Sequence, residues 1–235
     1  ACVCALKGDR AAALSALRTG LANDAKADSG RSLPDPAADE DLKGLWGDPV
    51  FLAILVASQD PQPNDGPGGG LAREGAGRLA AGDAAGAVEL LKSSLETAPA
   101  MVRVWFLLGG ALEVQGNGAE AAEKYRKALA LNRAPNATLS KPAIRQASLR
   151  SGQAFLAANK PAEAVDALKT GTGADDYYAP LHYEMARAYA GVGDKAQAEA
   201  SLKRAMGLAI QLSALDPPLP DPSRDAAFAK WAKDG

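Results

Sequence analysis

One histidine and two cysteines stand among the 235 residues, and that scarcity limits the chemistry open to the chain. A lone His182 excludes multi-histidine metal sites and the HExxH arrangement, which needs two imidazoles on one helix face. A Ser-His-Asp triad would have to use the same residue, whose spacing marks it instead as a packing position. Cys2 and Cys4 lie at i, i+2, so on a helix they point to different faces, and they read as small buried hydrophobes. No GxxxxGK[ST] phosphate loop is present. The one glycine-rich run, GPGGG at 66–70, follows no strand and leads into Leu-Ala-Arg, so it reads as linker. Aspartates and glutamates are scattered as on a solvated helix face, with no couple spaced for acid–base work. The residues therefore predict no catalytic group, no metal and no cofactor, and the chain is expected not to be an enzyme.

Charge narrows the partners. With 26 basic and 28 acidic residues the net charge is −2, which builds no field for nucleic acid or anionic lipid. The acidic cluster from Asp35 to Asp41 reads as a solvated loop. The longest apolar run, 49–57, is about half of what a bilayer span needs, so no transmembrane segment is expected. The opening residues reach Lys7 and Arg10 without an apolar core long enough for a signal peptide. A leader already removed stays open, and so does the compartment, cytoplasm or periplasm. Alanine supplies 53 residues while aromatics make up only 5%, so small side chains must do much of the packing. That suits close-lying helices rather than a β-sandwich.

What must position these residues is a repeat. Five segments align on a central turn at Gly8, Gly82, Gly116, Asn159 and Gly193, with separations of 74, 34, 43 and 34 residues. Five residues after each turn comes alanine: Ala13, Ala87, Ala121, Ala164 and Ala198. Four further on come Leu17, Leu91, Tyr125, Leu168 and Leu202. Three beyond those come Gly20, Ser94, Ala128, Gly171 and Ala205, and seven before the turns stand Ala1, Gly75, Gly109, Gly152 and Ala186. Each unit reads as two antiparallel helices. The small residue of the first helix is expected to face the small residue of the second, with the leucine or tyrosine filling the gap to the next hairpin.

The period and residue types resemble the tetratricopeptide repeat. The third unit carries Trp105, Leu108, Gly109, Leu112, Ala121, Tyr125 and Ala128 at that family's positions; the family's closing proline appears as Pro99 in the second unit and slips to Pro135 in the third. The resemblance implies an all-α fold, an α-solenoid of helix–turn–helix hairpins, over roughly 1–22 and 71–206. His182 matches Trp105 in this alignment.

The expected organisation has four parts: a partial hairpin with short capping helices over 1–57, a Pro/Gly-rich linker over 58–70, an array of about four hairpins over 71–215, and a proline-rich tail over 216–235. The capping helices lie within 39–55, broken near Gly47-Asp48-Pro49. The first helix starts part-way through, so either a longer natural N-terminus or an absent preceding segment is expected. In the tail, Ser223 is expected to N-cap a helix over 224–233, with Phe228 and Trp231 as its apolar face. The sequon at Asn136 is a common chance triplet.

The resemblance further implies a concave groove lined by the first helix of each pair. Carried over, its positions fall on Arg103, Phe106, Gly110, Glu113 and Val114; on Gln146, Leu149, Gln153, Leu156 and Ala157; on Tyr183, Arg187 and Ala190; and on Ala72, Ala76, Leu79 and Ala80. The carboxylate-clamp subtype is not built: its lysine and asparagine positions hold Ala72 and Ala76, or Phe106 and Gly110, and only Arg150 matches. The expected function is a non-enzymatic adaptor holding a protein or peptide partner in a multiprotein complex, with Arg103, Phe106, Glu113, Gln146, Gln153, Tyr183 and Arg187 as exposed groove contacts. The alternatives are a structural subunit that stacks through its edges and convex face, or the accessory region of a longer enzyme.

Overall fold

The computed structural model describes residues 8–24, 40–45, 48–58, 66–132, 138–211 and 219–228. Cys2, Cys4, Asn136 and Trp231 lie outside them. Among the described residues there are helices and turns and no strand, as the absence of period-two segments predicts. The helices are α1 (Arg10–Asp24), α2 (Pro49–Ser58), α3 (Gly66–Ala80), α4 (Ala84–Thr97), α5 (Val102–Val114), α6 (Gly118–Leu131), α7 (Lys141–Ala157), α8 (Pro161–Ala174), α9 (Ala179–Val192) and α10 (Lys195–Gln211), with short 3-10 helices at Glu40–Leu45 and Pro222–Arg224. Two compact units divide at Ala143/Ile144, within the first turn of α7. The position 58–70 is not where that division falls.

The hairpins α3/α4 and α5/α6 in the first unit, and α7/α8 and α9/α10 in the second, follow from the turn residues. All five aligned turn positions have positive φ: Gly8 at 73°, Gly82 at 90°, Gly116 at 82°, Gly193 at 85° and Asn159 at 57°. Only glycine takes this left-handed conformation freely, and asparagine is among the few residues that tolerate it. At three of the turns the next residue caps the second helix with its side chain, while Asn117 makes no such bond. Asp9, Asp83 and Asp194 each accept from a backbone N–H three residues on, at 3.0, 2.9 and 3.1 Å. The α7/α8 hairpin has Lys160 there and starts its second helix with Pro161 instead.

Packing inside each hairpin differs from the small-on-small expectation. A Cβ on Gly75 would meet Leu91 at 2.9 Å, one on Gly109 would meet Tyr125 at 2.7 Å, and one on Gly152 would meet Leu168 at 2.5 Å. The glycine of the first helix therefore receives the large side chain of its own second helix, and Leu168 also joins a core cluster with Leu181 and Met185 of the following hairpin. A leucine or ring lying flat on the partner backbone buries more apolar area than two facing alanines. The five alanines are all buried regardless.

Two further segments take unexpected places. The glycines 66–70, read as linker, form the start of α3. Gly68 serves close approach: a Cβ there would meet Thr97 Oγ1 at 2.7 Å, and the buried Ser94 hydroxyl donates to the Gly68 carbonyl at 2.7 Å. Helix α2 is N-capped by Asp48, whose Oδ1 accepts from Val50 N at 2.8 Å and Phe51 N at 3.2 Å. Apolar on all sides, α2 packs against α1, α3 and α5 and buries Phe51, Ala53 and Ile54. Arg10 of α1 pairs with Asp48.

Candidate interaction surfaces

In the first unit the groove face of α5 is already covered. A Cβ on Gly110 would fall 2.2 Å from Pro49 Cβ, so α2 lies directly on that backbone. Phe106, expected as an exposed anchor, is fully buried against Tyr125, ring centroids 5.4 Å apart. Glu113 accepts from the Tyr125 hydroxyl at 2.9 Å, tying the helices of one hairpin together. Val114 is exposed. Arg103 also stays exposed and reaches the Thr138 carbonyl at 3.4 Å. Beside it opens a cleft of about 320 Å³ whose walls include Leu52, Leu55 and Val56 of α2 and Leu139 from the segment before α7. The three α2 side chains are half-buried.

The second unit brings three of the expected residues into one network. Gln153 Nε2 donates to Glu184 Oε1 at 3.1 Å, and Arg187 Nη1 donates to Glu184 Oε2 at 2.7 Å. Asp225 of the tail accepts from the Tyr183 hydroxyl at 2.8 Å and lies 3.2 Å from Arg187 Nε, an ion-pair contact without hydrogen-bond alignment. Tyr183 is thereby a buried residue, not a surface anchor, and Phe228 meets it edge-on, centroids 6.0 Å apart. Burial and the neighbouring Asp225 carboxylate push the Tyr183 phenol upward. Burial alone would lower the Arg187 guanidinium, but Glu184 and Asp225 carry it upward. Gln146 sits apart from this network, facing Arg150 one turn on in α7.

The expected all-exposed groove row is thus corrected. Phe106 and Tyr183 are core because α2 and the tail cover the face they belong to, and replacing either attacks the fold. The residues the groove assignment missed are Glu184, Asp225 and the exposed side of α2. The apolar run 49–57 was visible in the sequence, but where it docks was not. The tail also departs from expectation. Asp221, not Ser223, caps the 3-10 helix Pro222–Arg224, accepting from Ser223 N at 3.0 Å, and residues 226–228 form a turn.

His182 occupies the packing position its spacing assigned. It is buried, with Nε2 2.9 Å from the Asp176 carbonyl and 3.3 Å from Asp176 Oδ1. Among the described residues no group of three or more His, Cys, Asp or Glu is placed to hold a metal ion. No described helix is long and apolar enough to cross a membrane.

Comparison with known proteins places the repeat. Residues 73–136 match the family model described as Tetratricopeptide repeat. No curated protein matches the sequence. Among solved structures, MamA AMB-1 in one crystal form is similar at TM-score 0.52 and 21% identity, over 77% of this chain and 100% of that one. MamA AMB-1 in a second crystal form gives 0.50 and 20%, over 83% and 98%. A further crystal structure of MamA protein gives 0.50 and 15%, over 88% and 100%. At these identities the likeness is one of fold.

Proposed function

Residues 73–136 make this chain a tetratricopeptide-repeat protein, and on that premise we propose that it is a non-enzymatic scaffold holding a segment of a partner protein in a larger assembly. Stacked helix pairs supply rigid surface rather than reactive groups. The observation that carries this reading is the cleft of about 320 Å³ beside Arg103 in the first unit. Its α2 wall is apolar and its edge holds a guanidinium. Such a site suits a short apolar segment carrying a carboxylate, with the side chains giving area and the arginine giving orientation.

The test compares capture from native extract by wild type, Arg103→Glu and Val56→Asp, beside their melts. Arg103 is exposed, so its reversal is expected to leave the melting temperature within a few degrees while capture falls at least about tenfold, roughly 1.4 kcal/mol. Val56→Asp is expected to reduce capture through the apolar wall. Undiminished capture by both folded variants would move the interface off the cleft and favour a structural subunit that contacts its neighbours through its outer faces.

A further inference from the structure

The second unit holds its own candidate ligand. Asp225 faces the Tyr183 hydroxyl at 2.8 Å and Arg187 Nε at 3.2 Å, and Phe228 lies edge-on to the Tyr183 ring. A carboxylate and an aromatic ring, three residues apart, thus engage a phenol, a guanidinium and an apolar floor. Tyr183, Arg187 and Ala190 are the positions where the family resemblance puts a groove. The segment keeps its own shape. Ala227 N donates to Asp225 Oδ1 at 2.9 Å, and Phe228 N donates to the Asp225 carbonyl at 3.0 Å.

The fit is incomplete. Between acid and ring stand only Ala226 and Ala227, and beside them a cleft of about 290 Å³ opens against Leu156, Pro161, Arg187 and Gly191. Larger apolar side chains at those two places would fill space that the alanines leave open and would bury more apolar area. We propose that this face of α9 is a docking site for protein segments of the pattern carboxylate–apolar–apolar–aromatic, and that residues 225–228 are its resident, displaceable occupant. The carboxylate takes the place of Asp225 between Tyr183 and Arg187, the ring takes the place of Phe228, and the two intervening side chains enter the cleft. The site is distinct from the cleft beside Arg103, so the two readings stand or fall separately.

The probe is a fluorescein-labelled ten-residue peptide with Asp-Leu-Leu-Phe at its centre, followed by anisotropy against the full chain. Weak binding to wild type is expected, because the tail competes. The full-length Asp225→Ala/Phe228→Ala variant is expected to bind at least tenfold tighter, and addition of Arg187→Ala is expected to cancel the gain. In the double variant, Arg103→Glu should leave the gain over the matching tail-intact protein unchanged, which separates this site from the cleft in the first unit. A folded double variant with no gain, or a gain that survives Arg187→Ala, overturns the proposal. Loss of helical circular dichroism in the double variant would also overturn it, since the tail would then be part of the fold. A second measurement needs no substitution. Saturating peptide should speed amide exchange at Ala227 and Phe228 of wild type, and unchanged exchange with peptide bound refutes displacement.

Discussion

At the residue scale the turns offer the sharpest test, because Gly116 and Gly118 stand two positions apart and differ only in backbone. Neither would bring an added Cβ within 4 Å of another atom. Gly116 has φ 82°, so Gly116→Ala bears the left-handed penalty alone, about 1–2 kcal/mol of lost stability. Gly118 opens α6 with no such strain, so Gly118→Ala is expected to stabilise by about 0.4–1 kcal/mol through a less flexible unfolded chain. Thermal melts should shift in opposite directions; shifts of the same sign would refute the conformational account. These five turns were legible in the sequence because a positive φ leaves few residue types to choose from. The partner of each neighbouring glycine was not legible. Gly75, Gly109 and Gly152 say only that something approaches closely, and spacing alone did not distinguish an alanine from Leu91, Tyr125 or Leu168.

At the scale of elements, caps and docked helices matter most. The Gly86 amide, and then the Arg78 side chain, hold the Asp83 carboxyl below the usual aspartate range. A depressed folded-state value means the cap contributes fully above the unfolded-state value, about pH 4, and fades as pH falls through the lower folded one. Melts across that acid range should therefore show Asp83→Asn losing less stability than wild type, since asparagine still caps but does not titrate; parallel losses would remove Asp83 from the account. Helix α2 can be tested through its seat. Gly110→Ala places a methyl into the Pro49 ring and is expected to cost about 1–3 kcal/mol, with α2 partly lifted from α5. Rapid amide exchange confined to 49–58 would show the lifting, and a silent substitution would mean that α2 is not held there. The glycines 66–70 show why composition misled: a run that reads as slack in a linker is, in a helix, what lets Gly68 approach Thr97.

At the scale of the whole molecule, the repeats are local and the segments that cover them are not. Hairpins join residues within one period, so periodicity exposed them. The seat of α2 joins Pro49 to Gly110, and the seat of the tail joins Asp225 and Phe228 to Tyr183. No repeat announces such pairings. For that reason the spacing put Phe106 and Tyr183 on an open face, while the structure buries both. In each unit a segment from outside the repeat packs on the first helix of a pair, and a cleft opens beside it: against α2 in one, against Ala226 and Ala227 in the other.

The contact between Pro49 and Gly110 also has a meaning in time. Helix α2 is synthesised before the helix it rests on, and 56 residues separate the end of α2 at Ser58 from the end of α5 at Val114. At about 5–20 residues per second, roughly 3–11 s pass on the ribosome before the seat is whole. Through that interval the apolar helix α2 lacks the α5 surface on which the finished protein seats Pro49. The order of synthesis, rather than the stability of the finished fold, then sets the moment at which this chain is most prone to stick to another.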